Sequence, residues 1–175
     1  MEKKIWKSWA SLAAASALVL SLGIAAMART DQGDSPARGL QGTWAVTVNL
    51  QNCQTGANIG PPFYSYVTFA DGGTLSESTS NPGFAIGQRG PELGIWSRER
   101  HYTYSAKSTA FIFYTTAPNL PTTPGFNAGT QTITQTIEYD EDTDSWTANA
   151  AISFADTTNT VYRQGCAVAS GQRYQ

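Results

Sequence analysis

The sequence predicts an all-β fold: eight antiparallel strands closing into an up-and-down β-barrel. Three observations predict it. From about residue 41 onward the chain is dominated by Thr, Val, Ile, Tyr, Phe and Trp, lacks helical periodicity, and is broken at short intervals by Gly, Pro, Asn and Asp. That is the pattern of half-buried strands joined by turns. Almost every break is short enough for a hairpin, so consecutive strands are expected to pair antiparallel. The two ends of the region also match in register. Residue numbers across an antiparallel pair sum to a constant; Trp44 with Arg173 gives 217 and Cys53 with Cys166 gives 219. Twist or one bulge can absorb the difference. Pairing the first strand with the last closes the sheet and removes its exposed edges.

The elements follow in chain order. Residues 1–28 read as a signal peptide: Lys3, Lys4 and Lys7 precede an apolar run, Ala10 to Met27, and Ala26-Met27-Ala28 fits the small-x-small rule with cleavage before Arg29. A membrane anchor is the competing reading, but the run is only marginally long enough and polar sequence follows the cleavage site. No cysteine follows the run to carry a lipid. Residues 29–40 are polar, contain Gly and Pro, and read as a disordered leader. Residues 41–175 form the single barrel domain. Removing 28 of the 175 residues leaves 147, enough for one core.

Strand one is expected at Thr43–Asn52. Strand two, Phe63–Phe69, turns at Asp71-Gly72-Gly73 into strand three, Thr74–Thr79. A Gly- and Pro-rich loop covers residues 81–94, then strand four runs Ile95–Arg98 and, after a tight turn, strand five runs Tyr102–Thr116, with a possible bend at Lys107-Ser108. A second Pro/Gly loop spans residues 118–129. Strands six, seven and eight are expected at Thr130–Tyr139, Ser145–Phe154 and Thr160–Ser170.

Alternation sketches the interior. Strand one offers Trp44, Val46, Val48 and Leu50, strand two Phe63, Ser65, Val67 and Phe69, and strand seven Trp146, Ala148, Ala150, Ile152 and Phe154. Alanines between aromatics leave space, which either a ligand or neighbouring side chains fill. If the barrel is hollow, the candidate lining is Trp44, Val46, Val48, Phe63, Val67, Trp96, Trp146, Ala148, Ala150 and Ile152. The only cysteines, Cys53 and Cys166, are expected to form a disulfide, since an exported chain with an even pair so far apart in sequence suits a bond better than a metal or redox pair.

Gly42-Thr43-Trp44 at the head of strand one, Arg173 near the end of the chain and the eight strands resemble the lipocalin-like (calycin) barrels. The resemblance implies that Trp44 plugs a closed end and that Arg173 packs across its ring, a cation–π contact of about 0.5–2 kcal/mol. Phe69-Ala70-Asp71 and Phe154-Ala155-Asp156, each ending a strand before a turn, look like hairpins of small secreted bacterial barrels of unknown function. The same features fit a looser relative of the dirigent or allene-oxide-cyclase type. Gly94-Ile95-Trp96 repeats the opening triplet.

Charge and motifs narrow the function. Losing Lys3, Lys4, Lys7 and Glu2 changes 11 basic and 13 acidic residues to 8 and 12, a net charge of −4 with the positive charges scattered. A nucleic-acid partner needs a basic stripe, so none is expected. No second apolar run is long enough to span a bilayer, and a secreted or periplasmic protein is expected. His101 sits in a charged run and reads as a solvated turn, with no marked catalytic partner. Asp140, Asp142 and Asp144 match the first half of a calcium loop, but Ser145 and Ala151 stand where its glycine and glutamate belong. No metal, cofactor or G-x-S-x-G nucleophile is indicated. Arg98, Arg100 and Tyr102 alternate with Trp96 as either a ligand grip at the barrel mouth or, preferably, an outward solubilising stripe. The expected function is a non-catalytic secreted barrel that binds a small apolar ligand or acts as an interaction module. The alternative is a cyclase- or isomerase-type barrel enzyme. An inward cluster of Arg, Glu and Tyr beside a deep cavity would favour the enzyme, and an apolar cavity without titratable groups would favour the carrier.

Overall fold

The computed structural model describes residues 39–114 and 128–175. The predicted signal peptide, the leader through residue 38 and nearly all of the second Pro/Gly loop lie outside the described residues. The strands are β1 (Gly42–Gln51), β2 (Phe63–Phe69), β3 (Thr74–Thr79), β4 (Arg89–Arg100), β5 (Thr103–Ile112), β6 (Gly129–Asp140), β7 (Ser145–Ala155) and β8 (Val161–Arg173). Each pairs antiparallel with the next and β8 pairs with β1, so the sheet is a closed eight-stranded barrel. The β1–β8 register runs from Trp44 opposite Arg173 to Gln51 opposite Cys166 without a shift. Cys53 therefore lies two residues beyond the partner of Cys166, and the disulfide spans a diagonal, which explains the offset between the two sums.

Several boundaries differ from the sequence reading: β4 runs on to Arg100, β5 ends at Ile112 and β8 continues past Ser170 to Arg173. β4 begins at Arg89, six residues before Ile95, because β5 supplies backbone partners back to Ile112. The Gly and Pro that disguised this stretch as a loop sit in a β-bulge: the β4–β5 register shifts between Arg89 and Glu92, and a bulge is where a strand tolerates proline. β5 stays paired with β6 through Lys107 and Ser108 without a register shift. Leu40, read as leader, is buried and accepts a 2.9 Å hydrogen bond from the Trp44 indole on its carbonyl.

The inward faces of β1, β2 and β7 follow the alternation, and the core divides into two clusters. The larger fills the end of the barrel where β1 starts. Trp44 is fully buried there, edge-on to Tyr139 and Trp146. The Arg173 guanidinium lies over its ring at 4.3 Å and donates to Asp144 (2.6 and 2.8 Å) and to the carbonyls of Gln41 (2.5 Å) and Gly39 (2.9 Å). Gly42 allows this: its φ is 120°, and a Cβ there would sit 2.5 Å from Arg173 Nη1. Gly94, the glycine of the second triplet, is required differently, since its Cβ would fall 2.3 Å from the Lys107 carbonyl. The smaller cluster, around Ile112, Ile152, Phe154 and Ala167, lies toward the opposite end and leaves space beside it.

Candidate functional site

Between the aromatic plug and the opposite end lies a cavity of about 270 Å³. One wall is apolar. β1 contributes Val46, Val48 and Leu50, and β7 and β8 contribute Ala150, Ile152, Phe154, Ala167 and Ala169. The space exists because these two strands carry small residues where they pair: Ala150 faces Ala167, and Ile152 faces Gly165. The other wall is polar. Glu77 from β3, Arg89 from β4, and Gln131 and Gln135 from β6 line it.

Of the ten residues singled out from sequence as lining, Val46, Val48, Phe63, Val67, Trp146, Ala150 and Ile152 lie along this cavity. Trp44, Trp96 and Ala148 pack in the plug. Trp96 points inward but is held among Phe69 and Tyr104, with its indole N–H donating to the carbonyls of Ala70 and Thr74, both at 3.0 Å. Arg98, Arg100 and Tyr102 surround the β4–β5 turn at the plugged end, so they form no grip at the cavity mouth. Arg98 donates to the His101 carbonyl and Tyr102 to Glu141. His101 is exposed in that turn.

The polar wall is built by the bulge. On a regular strand Arg89 and Glu92, three apart, would face opposite sides. The extra residue between them turns both inward. Arg89 Nε donates to Gln131 Oε1 at 2.5 Å, and its Nη2 pairs with Glu92 and, at 3.5 Å, with Glu77. Glu92 is fully buried and also accepts from the Ser108 hydroxyl. Burial pulls the Arg89 guanidinium below its ordinary value, and Glu77 acts in the opposite direction. Glu77 and Glu92 form the last pair between β3 and β4. Beyond them the strands part, and a second cavity of about 550 Å³ under the loop of residues 80–88 shares Glu77 and Arg89 with the first. The cluster thus stands at the apex of a slit in the barrel wall.

At the mouth, Arg163 stacks on Phe154, 3.7 Å from its ring centroid, and makes no ion pair among the described residues. The Asp140–Asp144 run is a hairpin turn: Asp140 accepts from the backbone of Asp142 and Thr143, and Asp144 is turned toward Arg173. Among the described residues no three His, Cys, Asp or Glu side chains converge as a metal site.

None of Glu77, Arg89, Glu92, Ser108, Gln131 or Gln135 was singled out from sequence. Gln131 and Gln135 were legible in principle, since Thr130-Gln131-Thr132-Ile133-Thr134-Gln135-Thr136-Ile137 alternates and Ile137 belongs to the core. Glu77 was legible from Leu75 on the same face. Arg89 and Glu92 were not, because the bulge breaks the alternation that would have placed them.

No family model, no curated protein and no solved structure matches this chain. The closed eight-stranded antiparallel barrel is consistent with a calycin-like fold. The sulfurs of Cys53 and Cys166 lie at bonding distance with their Cα atoms 5.2 Å apart, which points to an oxidising, extracytoplasmic environment. Among the described residues no helix is long and apolar enough to cross a membrane.

Proposed function

We propose that this is an exported, lipocalin-like barrel that binds one small molecule between its apolar and polar walls. The observation that carries the reading is the cavity itself: about 270 Å³, plugged by Trp44 at one end and reached from the other. It lies just below the range for drug-sized ligand sites, about 300–1,000 Å³, which suits a small ligand, and an eight-stranded barrel is wide enough to hold one. The mostly apolar lining with a few convergent polar groups is the composition such sites use. The lysine-led apolar N-terminal run and the cysteine pair support export.

Ala150→Phe tests the reading, because the ring would project from β7 into the space beside Ala167. The variant should keep the barrel's circular dichroism and lose uptake of a hydrophobic fluorescent probe. Probe binding equal to that of the parent would sink the proposal.

The Arg89–Glu77–Glu92 cluster supports a second reading, a cyclase- or isomerase-type enzyme in which these groups polarise a substrate held by the apolar wall. Native mass spectrometry of protein purified from its own host separates the two. A carrier retains an unaltered ligand at one-to-one stoichiometry; an enzyme converts an added one.

A further inference from the structure

We propose that the ligand of this cavity carries a positively charged amine, seated on Glu77. This rests on the small-molecule reading above and names the ligand's class. Glu77 and Glu92 face each other across β3 and β4, and like charges directly opposite on a sheet repel unless a cation stands between them. Arg89 stands there, but it serves the two unequally. Its Nη2 is closely bonded to Glu92, which Ser108 also supports, while Glu77 reaches the same nitrogen only at 3.5 Å. One guanidinium against two carboxylates leaves a formal charge of −1. No other cation stands within ion-pair distance of either carboxylate among the described residues.

The side chain of Glu77 is only 11% exposed, so water screens its charge poorly. A charge so placed is stable when paired and costly when not. Glu77 Oε1 accepts no hydrogen bond from a described residue, and Glu77 lines the cavity. A ligand ammonium there would supply the missing positive charge. Phe63 and Phe84 in the same lining suit a cation, and the Gln135 side chain, without a hydrogen-bond partner among the described residues, offers an acceptor. A bare metal ion fits less well, because the two carboxylates are already separated by a guanidinium and, among the described residues, no third His, Cys, Asp or Glu joins them. The apolar body of the amine would lie against Val46, Val48 and Ala150. The rival is an anionic ligand held by Arg163. That guanidinium is exposed at the mouth and stacked on Phe154, so a ligand there relieves no buried charge.

Isothermal titration calorimetry on the disulfide-intact protein at neutral pH decides, using three probes of matched shape: 2-phenylethylamine, 2-phenylethanol and 3-phenylpropionate. The amine should bind roughly tenfold or more tighter than the alcohol, and Glu77→Gln should abolish that advantage. Equal binding of amine and alcohol, preference for the acid, or an amine preference that survives Glu77→Gln would each overturn the proposal. If Glu77→Gln fails to fold by circular dichroism, the ranking of the three probes on the parent decides alone. Failure of all three probes while the hydrophobic fluorescent probe still binds would overturn the amine and leave the cavity reading standing. Failure of the fluorescent probe as well would overturn both.

Discussion

At the plugged end, β1 meets β8 through Trp44 and Arg173: the buried indole lies under the guanidinium, which Asp144 pairs from the surface side. At the cavity end the same two strands are joined through Cys53 and Cys166, with side chains that leave a void beside them. Both ends close one seam, by different physics. An end that can be filled is held by packing and ion-paired hydrogen bonds. The end that stays open is held by a covalent bond instead. The polar groups divide in the same way. Arg173 at the plug is matched by one carboxylate and two carbonyls, whereas Arg89 beside the cavity faces two carboxylates and satisfies one of them poorly.

Removing the plug should have the largest effect on stability. Trp44→Ala should lower the unfolding free energy by about 3–5 kcal/mol in a denaturant titration, because the ring is fully buried and its neighbours are themselves anchored. A loss under about 1 kcal/mol would mean that packing does not hold this end. Cutting the other clasp should cost somewhat less. Cys166→Ser should lower stability by about 2–4 kcal/mol, since the bond closes a separation of 113 residues. If it costs nothing, the two ends are not the equivalent clasps described above.

The smallest effect sharpens the plug's electrostatics. Asp144 is held below the ordinary carboxylate range chiefly by its hydrogen bonds from Arg173, with burial opposing, and Arg173 is raised in return. A depressed folded value means that the stabilisation is present above the unfolded pKa, about 3.9, and is lost as pH falls through the folded value. Asp144→Asn should therefore cost about 1 kcal/mol at pH 7, a modest figure because the Asp144 side chain is 46% exposed. Parent and variant should converge as the pH falls through the depressed folded value of Asp144. A variant whose deficit stays the same over that fall in pH would remove the ion pair from the account of this end.

The two ends were not equally legible in the sequence. The plug was readable because its parts sit on regular strands: Trp44 and Arg173 keep the seam register, and alternation places Val46, Val67 and Trp146 inward without error. Trp96 also points inward, but whether it lined a cavity or joined the plug depended on Phe69 and Tyr104, distant in sequence. The polar wall was obscured by Gly90-Pro91. Those residues look like loop punctuation and instead mark a bulge, and the one-residue slip that turns Arg89 inward is the kind of feature that a period of two cannot find. Leu40 was hidden differently: polar neighbours on its N-terminal side outweighed a single apolar residue whose burial depends on the finished barrel.

The bond between Cys53 and Cys166 also makes the intervening chain a covalent ring that contains six of the eight strands in full, β2 to β7. The loop of residues 80–88 bulges from that ring with Ile86 wholly exposed at its tip, an inviting place for a protease. One scission there opens the ring without releasing a piece. The two fragments stay tethered through sulfur and interleaved by strand pairing, so a clipped molecule keeps its full mass until a reductant frees the halves. In an oxidising compartment rich in proteases, that tolerance of a single nick is a form of durability separate from folding free energy.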